Sequence, residues 1–147
     1  HELCDKETKL NFENVDKDAG YTNKGVIHML RQQYEEAIEC FNTAIEILPT
    51  MPNYFYWRAI CYRLLGRWDE ALRDYGTTIK IRPESAVAYN GQGEVFLKIN
   101  KPKECIESCT RAILIGGNTF YEPFKNRSLA YARLKQYVNS DADEYIA

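Results

Sequence analysis

Tyr34-Glu35-Glu36-Ala37-Ile38, Trp68-Asp69-Glu70-Ala71-Leu72 and Pro102-Lys103-Glu104-Cys105-Ile106 line up at a constant spacing of 34 residues. The phase persists outward from these stretches. Downstream, Phe41, Tyr75 and Cys109 fall in one column, Ala44, Thr78 and Ala112 in the next, and the pairs Ile45/Ile47, Ile79/Ile81 and Ile113/Ile115 follow. Each unit closes at Pro49, Pro83 or Gly117, and upstream Gly25, Ala59 and Gly93 share one small-residue position. A period of this size marks a repeat architecture, in which one supersecondary unit recurs and buries its apolar face against its neighbours.

Each unit reads as two short helices. Tyr34, Ala37, Ile38, Phe41, Ala44, Ile45 and Leu48 recur at steps of three and four, which places them on one stripe of a helix. Pro49 ends that helix, because proline donates no backbone hydrogen bond and restricts the residue before it. Trp68, Ala71, Leu72, Tyr75 and Ile79 repeat the pattern up to Pro83. Small residues at Gly25/Ala59/Gly93 and Ala37/Ala71/Cys105 let paired helices approach closely. Bulky ones at Phe41/Tyr75 and Tyr62/Phe96 fill the space beside them.

These columns resemble the tetratricopeptide repeat. The match runs through Tyr21, Gly25, Tyr34, Ala37, Phe41, Ala44 and Pro49 in a first unit, 18–51. In a second unit, 52–85, it runs through Phe55, Ala59, Tyr62, Trp68, Ala71, Tyr75 and Pro83. The third, 86–119, keeps Tyr89, Gly93, Phe96 and Ala112 but departs at Pro102, Cys105, Cys109 and Gly117. A partial fourth, 121–147, starts one residue late after Gly116-Gly117 and fits at Phe124, Ser128, Tyr131 and Tyr137. The resemblance implies an all-α, right-handed superhelical solenoid of antiparallel helix pairs, with three full repeats and a partial fourth. Strict counting puts Glu144 at a buried position of the last helix. Omitting two residues near Val138-Asn139 returns Ala142 and Ile146 to the core. Residues 1–17 read as a polar leader or a short capping segment. Repeat arrays need a polar cap at each end, so the parent chain is expected to continue beyond Ala147 or to be covered there by another chain.

Composition narrows the function classes. The 147 residues are 45% hydrophobic and 27% charged, and 19 Lys+Arg against 21 Asp+Glu give a net charge of −2. A dedicated nucleic-acid binder would show a basic excess, so no nucleic-acid partner is expected. No apolar run approaches the roughly 18–20 residues of a membrane span. Five cysteines without paired spacing suit a reducing compartment, and a cytoplasmic location is expected.

The residues of catalysis are sparse. The histidines are His1 and His28, and His28 lies where the repeat places a packed aromatic, without the partners that a triad requires. Cys105 and Cys109 share a helix face at i,i+4, but zinc wants four ligands, so packing is expected of them. Gly91-Gln92-Gly93 lies within a helix rather than after a strand, which removes the context of a phosphate loop. Asn126-Arg127-Ser128 is a sequon on a packed helix. No enzyme activity, metal site or cofactor is expected.

The resemblance further implies a concave groove lined by the first helix of each pair. Carried over by position, the groove candidates are Asn23, Asn53, Tyr56, Trp57, Arg63, Asn90, Glu94, Lys98, Lys125, Asn126 and Arg133. Amide side chains donate and accept together, which suits an extended peptide backbone. Tyr56 and Trp57 offer rigid apolar area with a polar handle. Lys98, Lys125 and Arg133 favour a ligand of acidic character. One branch of the family grips the C-terminal carboxylate of heat-shock chaperones with a set of Lys, Asn and Arg. Here those positions hold Thr22, Val26, Trp57, Val87 and Gly91, or, one unit later, Tyr56, Ile60, Gly91, Glu122 and Asn126. Without the cations a chaperone C-terminal tail is disfavoured as partner. The expected function is a protein–protein interaction module, an adaptor or scaffold holding a peptide segment or helix of a partner. The alternatives are an assembly domain that self-associates through its uncapped end and a regulatory segment of a larger enzyme.

Overall fold

A computed structural model describes residues 17–146, with side chains described through residue 136. The leader assignment to 1–17 and the placements of Tyr137, Ala142, Glu144 and Ile146 lie outside what is described, apart from Lys17. Among the described residues every regular element is helical: α1 over 17–30, α2 Tyr34–Ile47, α3 Pro52–Leu64, α4 Trp68–Ile81, α5 Ala86–Lys98, α6 Pro102–Gly116, a single 3-10 turn Gly117–Thr119, and α7 Glu122–Ile146. The chain divides into two compact units, one ending at Ile81 and the other beginning at Arg82.

The helix boundaries follow the repeat. Within each of the first three pairs the chain reverses through a residue in the left-handed region: Gln32 (φ 61°), Gly66 (φ 77°) and Asn100 (φ 63°), each 34 residues after the last. Glycine adopts this conformation freely and asparagine tolerates it. Pro52 and Pro102 open α3 and α6 at positions where a missing N–H costs nothing. Ser85 caps α5 by accepting from the Ala88 amide at 3.4 Å. Acidic residues in the first turns of α2, α4 and α6 face the positive helix ends.

The fourth repeat departs from expectation. Two short helices are expected there, yet α7 is one helix of 25 residues. Allowing for the one-residue insertion, the reversal would fall on Leu134-Lys135-Gln136. These are good helix formers, and no glycine or asparagine stands there to favour the left-handed reversal, although Gln32 makes one without such help; the helix runs on.

In the first unit the core is Ala37, Ile38 and Phe41 of α2 with Cys61 of α3, and Val26, Met29, Tyr34, Trp57 and Tyr62 pack around it. In the second it is Leu97, Cys105, Cys109 and Ala130, with Phe96 and Ile106 against it. The small-against-large expectation holds. Gly25 lets the buried Phe41 ring press onto the α1 backbone, and Gly93 does the same for the Cys109 sulfur.

A buried polar clasp joins three helices of the first unit. Arg58 of α3 donates from Nε and Nη2 to the Asp74 carboxylate of α4 at 2.7 and 2.8 Å, and from Nη1 to Asn42 Oδ1 of α2 at 2.8 Å. Its guanidinium also lies 5.5 Å from the Phe55 ring centroid and 5.9 Å from that of Tyr62. Burial pushes the Asp74 carboxyl up against the opposing pull of Arg58.

The described cysteines, Cys40, Cys61, Cys105 and Cys109, are free and buried. Burial pushes the Cys61 thiol up from 9.0 to about 12, and burial also raises Cys40 and Tyr54. A folded thiol that holds its proton more tightly than the unfolded one stabilises the fold below the unfolded value and loses that contribution as pH rises toward the folded value. Stability is therefore expected to decline between pH 9 and about 12. Denaturant titrations across this window should show Cys61→Ala declining less steeply, by about 1.4 kcal/mol per pH unit. An unchanged slope would show that Cys61 does not carry the effect.

Candidate functional site

The first and second helices of the pairs differ in kind. α2, α4 and α6 each bury one apolar stripe and turn charges outward: Glu35, Glu36 and Glu39; Asp69, Arg73 and Lys80; Lys103, Glu104 and Glu107. α3 is apolar on two sides. Tyr54, Ala59 and Cys61 are buried. On the other side Asn53, Tyr56, Trp57, Ile60 and Leu64 follow one another at helical spacing, with Asn53 and Leu64 exposed and the three between them half-buried. A globular helix normally has one apolar stripe. The second stripe on α3 is only partly covered, which makes it a candidate contact surface.

The first unit places the candidates on α1 and α3. Asn23 and Asn53 are exposed. Tyr56 meets Trp57 edge-on with ring centroids 5.6 Å apart and leans on Tyr75 at 6.0 Å. Trp57 itself packs against Ala37, Ile38, Phe41 and Cys61, so its indole serves the core as well as the open stripe. Arg63 is half-buried and its Nε donates to Tyr75 Oη at 3.4 Å.

The second unit treats its candidates differently. Asn90 of α5 and Asn126 of α7, expected to face a peptide backbone, are buried and bonded to each other. Asn126 Nδ2 donates to Asn90 Oδ1 at 3.0 Å, and Asn90 Nδ2 donates to Glu94 Oε1 at 3.4 Å. This chain of amides and carboxylate ties α5 to α7 and uses much of the hydrogen-bonding capacity of both asparagines. The burial of Asn126 also closes the sequon to glycosylation. Arg133 Nη1 donates to the Leu97 carbonyl near the end of α5, so it caps a helix terminus. Lys98 and Lys125 are exposed.

Exposed apolar side chains stand on the same helices. Leu30 is 77% exposed, and Leu64, Val87 and Leu129 are also open. What identifies them is the companion stripe on the same helix that is already buried.

Cys105 and Cys109 pack as expected, with sulfurs 3.9 Å apart beneath Gly93. The hydrogen bond from its neighbour and burial both raise the Cys109 thiol. Among the described residues no group of three or more His, Cys, Asp or Glu is gathered for a metal, and no helix is long and apolar enough to cross a membrane. His28 is half-buried with Nδ1 2.8 Å from Gln33 Oε1.

Comparison with known proteins gives two matches to the tetratricopeptide repeat profile, at residues 19–51 and 52–85. The human mitochondrial import receptor subunit TOM70 is 26% identical over 113 residues, covering 74% of this chain and 19% of TOM70. The small glutamine-rich tetratricopeptide repeat-containing protein 2 of Saccharomyces cerevisiae is 31% identical over 136 residues, covering 92% of this chain and 38% of that protein. The chain thus spans well under half the length of these relatives. Among solved structures, the first repeat domain of Spaghetti (RPAP3), bound to the HSP90 peptide SRMEEVD, superposes with a TM-score of 0.74 at 22% identity, covering 80% of this chain and 93% of that one. The all-α repeat fold is the same.

Proposed function

Because the chain belongs to the tetratricopeptide-repeat family, we propose that it is a non-enzymatic protein-interaction module that holds an extended peptide segment of a partner on its first helices. The observation that carries this reading is the second, half-open apolar stripe of α3, Asn53-Tyr56-Trp57-Ile60-Leu64. Rigid aromatic area, an exposed amide at one end and an exposed leucine at the other are what an extended chain needs for packing and backbone hydrogen bonds. Lys98 and Lys125, exposed in the second unit, give that unit a local preference for acidic segments, expressed mainly in on-rate and salt dependence. The partner segment is internal rather than a free C-terminus, since Thr22, Val26, Trp57, Val87 and Gly91 supply no cation to a terminal carboxylate. An adaptor or scaffold role inside the cell is the setting that fits.

Selection from a displayed library of random linear peptides tests this directly. Enriched peptides should carry acidic residues and lose about five- to tenfold in affinity with Asn53→Ala or Leu64→Ala. Both side chains are exposed, so thermal stability should change little. Enriched peptides that bind both variants as tightly as the parent would remove α3 from the site. Selection that enriches nothing, together with concentration-dependent mass, would favour self-assembly instead.

A further inference from the structure

Pro83, Tyr89 of the first turn of α5, and Arg111, Leu114 and Ile115 of the last turns of α6 enclose an open cleft with a volume of about 140 Å³. None of the five is among the groove candidates, and three of them lie on a second helix. Leu114 is 79% exposed and Ile115 41%, a large apolar exposure on a helix whose other outward residues are mostly charged. The size matters, because drug-sized sites need roughly 300 Å³ or more, whereas an apolar cavity of about 150 Å³ accepts a benzene ring. The cleft therefore suits one aromatic side chain rather than a cofactor. Tyr89 lines it and can meet an incoming ring edge to face.

Its charge is as specific as its shape. Arg111 is exposed at the rim and forms no hydrogen bond or ion pair with any described residue, although Glu107 stands one helical turn before it. A cation left open beside an apolar slot is complementary to a carboxylate next to a buried ring.

We propose that this cleft is a second docking site, which takes a phenylalanine side chain from an acidic segment of another protein while Arg111 pairs with a neighbouring carboxylate. The module would then hold two segments, one on the first helices and one on this α6 surface. The proposal does not rest on the first-helix reading.

The probe is the capped pentapeptide acetyl-DEFDE-amide, titrated into the 15N-labelled chain and followed by amide chemical shifts. Shifts are expected at Tyr89, Arg111, Leu114 and Ile115. Acetyl-DESDE-amide, lacking the ring, and acetyl-KKFKK-amide, with reversed charge, should each bind at least about tenfold more weakly. Arg111→Glu and Leu114→Ser should weaken acetyl-DEFDE-amide by a similar factor, with melting temperatures unchanged because both side chains are exposed, while Asn53→Ala should leave it unaffected. Absence of shifts at millimolar peptide, shifts confined to other helices, equal binding of the serine peptide, or indifference to Arg111→Glu would each overturn the proposal.

Discussion

Asp74→Ala is expected to destabilise the protein by about 3–5 kcal/mol, because it strands the Arg58 guanidinium inside the first unit. Arg58 is only 19% exposed at its side chain and Asp74 only 4%, so water replaces the lost carboxylate only in part. Asn42 Oδ1 would remain as one neutral acceptor for the guanidinium. In a chain of this length the melting temperature should fall by roughly 10 °C or more. The cost lies in the unpaired charge rather than in any large net worth of the pair, so the double variant Arg58→Met, Asp74→Leu should recover most of the loss. A double variant no more stable than Asp74→Ala would contradict this reading. So would a single variant costing under about 1 kcal/mol, the range of an exposed pair.

Gly25→Ala should destabilise by about 2 kcal/mol, although alanine is the better helix former by about 1 kcal/mol. A Cβ built at Gly25 lies 2.8 Å from Phe41 Cε1 and 2.9 Å from Cζ, against the about 3.5–4.0 Å of ordinary carbon contacts. The Phe41 ring is fully buried and has no open side to move into, so the helices must separate. Combining Gly25→Ala with Phe41→Leu should restore part of the loss, giving a favourable coupling of at least about 0.5 kcal/mol in a double-mutant cycle. Strict additivity, or a more stable Gly25→Ala, would mean that the contact is looser than the structure places it.

Much of this was legible because the repeat writes its packing into fixed columns. The Gly25–Phe41 contact can be read from one small and one large position a fixed distance apart, and the helix ends from Pro49 and Pro83. The unbroken α7 was harder to read, since the turn depends on a single backbone conformation, which Gln32 adopts without any special ease in it and Lys135 does not. The Arg58–Asp74–Asn42 clasp was missed because its members are 16 residues apart on successive helices and look like surface polars in isolation.

The candidate contact surface was only partly legible. Position on the first helices put Asn90, Asn126 and Arg133 beside Lys98 and Lys125. The structure separates them by what each side chain touches: two form a buried amide link, one caps α5, and the lysines stay open. Leu114 was passed over: its repeat column holds Glu46 and Lys80, outward positions, and only its exposure shows a leucine left open there.

Amide shift mapping with the tightest peptide recovered from the library decides whether the first helices hold the ligand. The expected pattern places the large shifts along Asn53–Leu64 of α3 and on the exposed part of α1 around Asn23, leaving the charged outer faces of α2 and α4 unmoved. Large shifts on α2 and α4 with α3 silent would contradict it and end the case for a peptide held on the first helices.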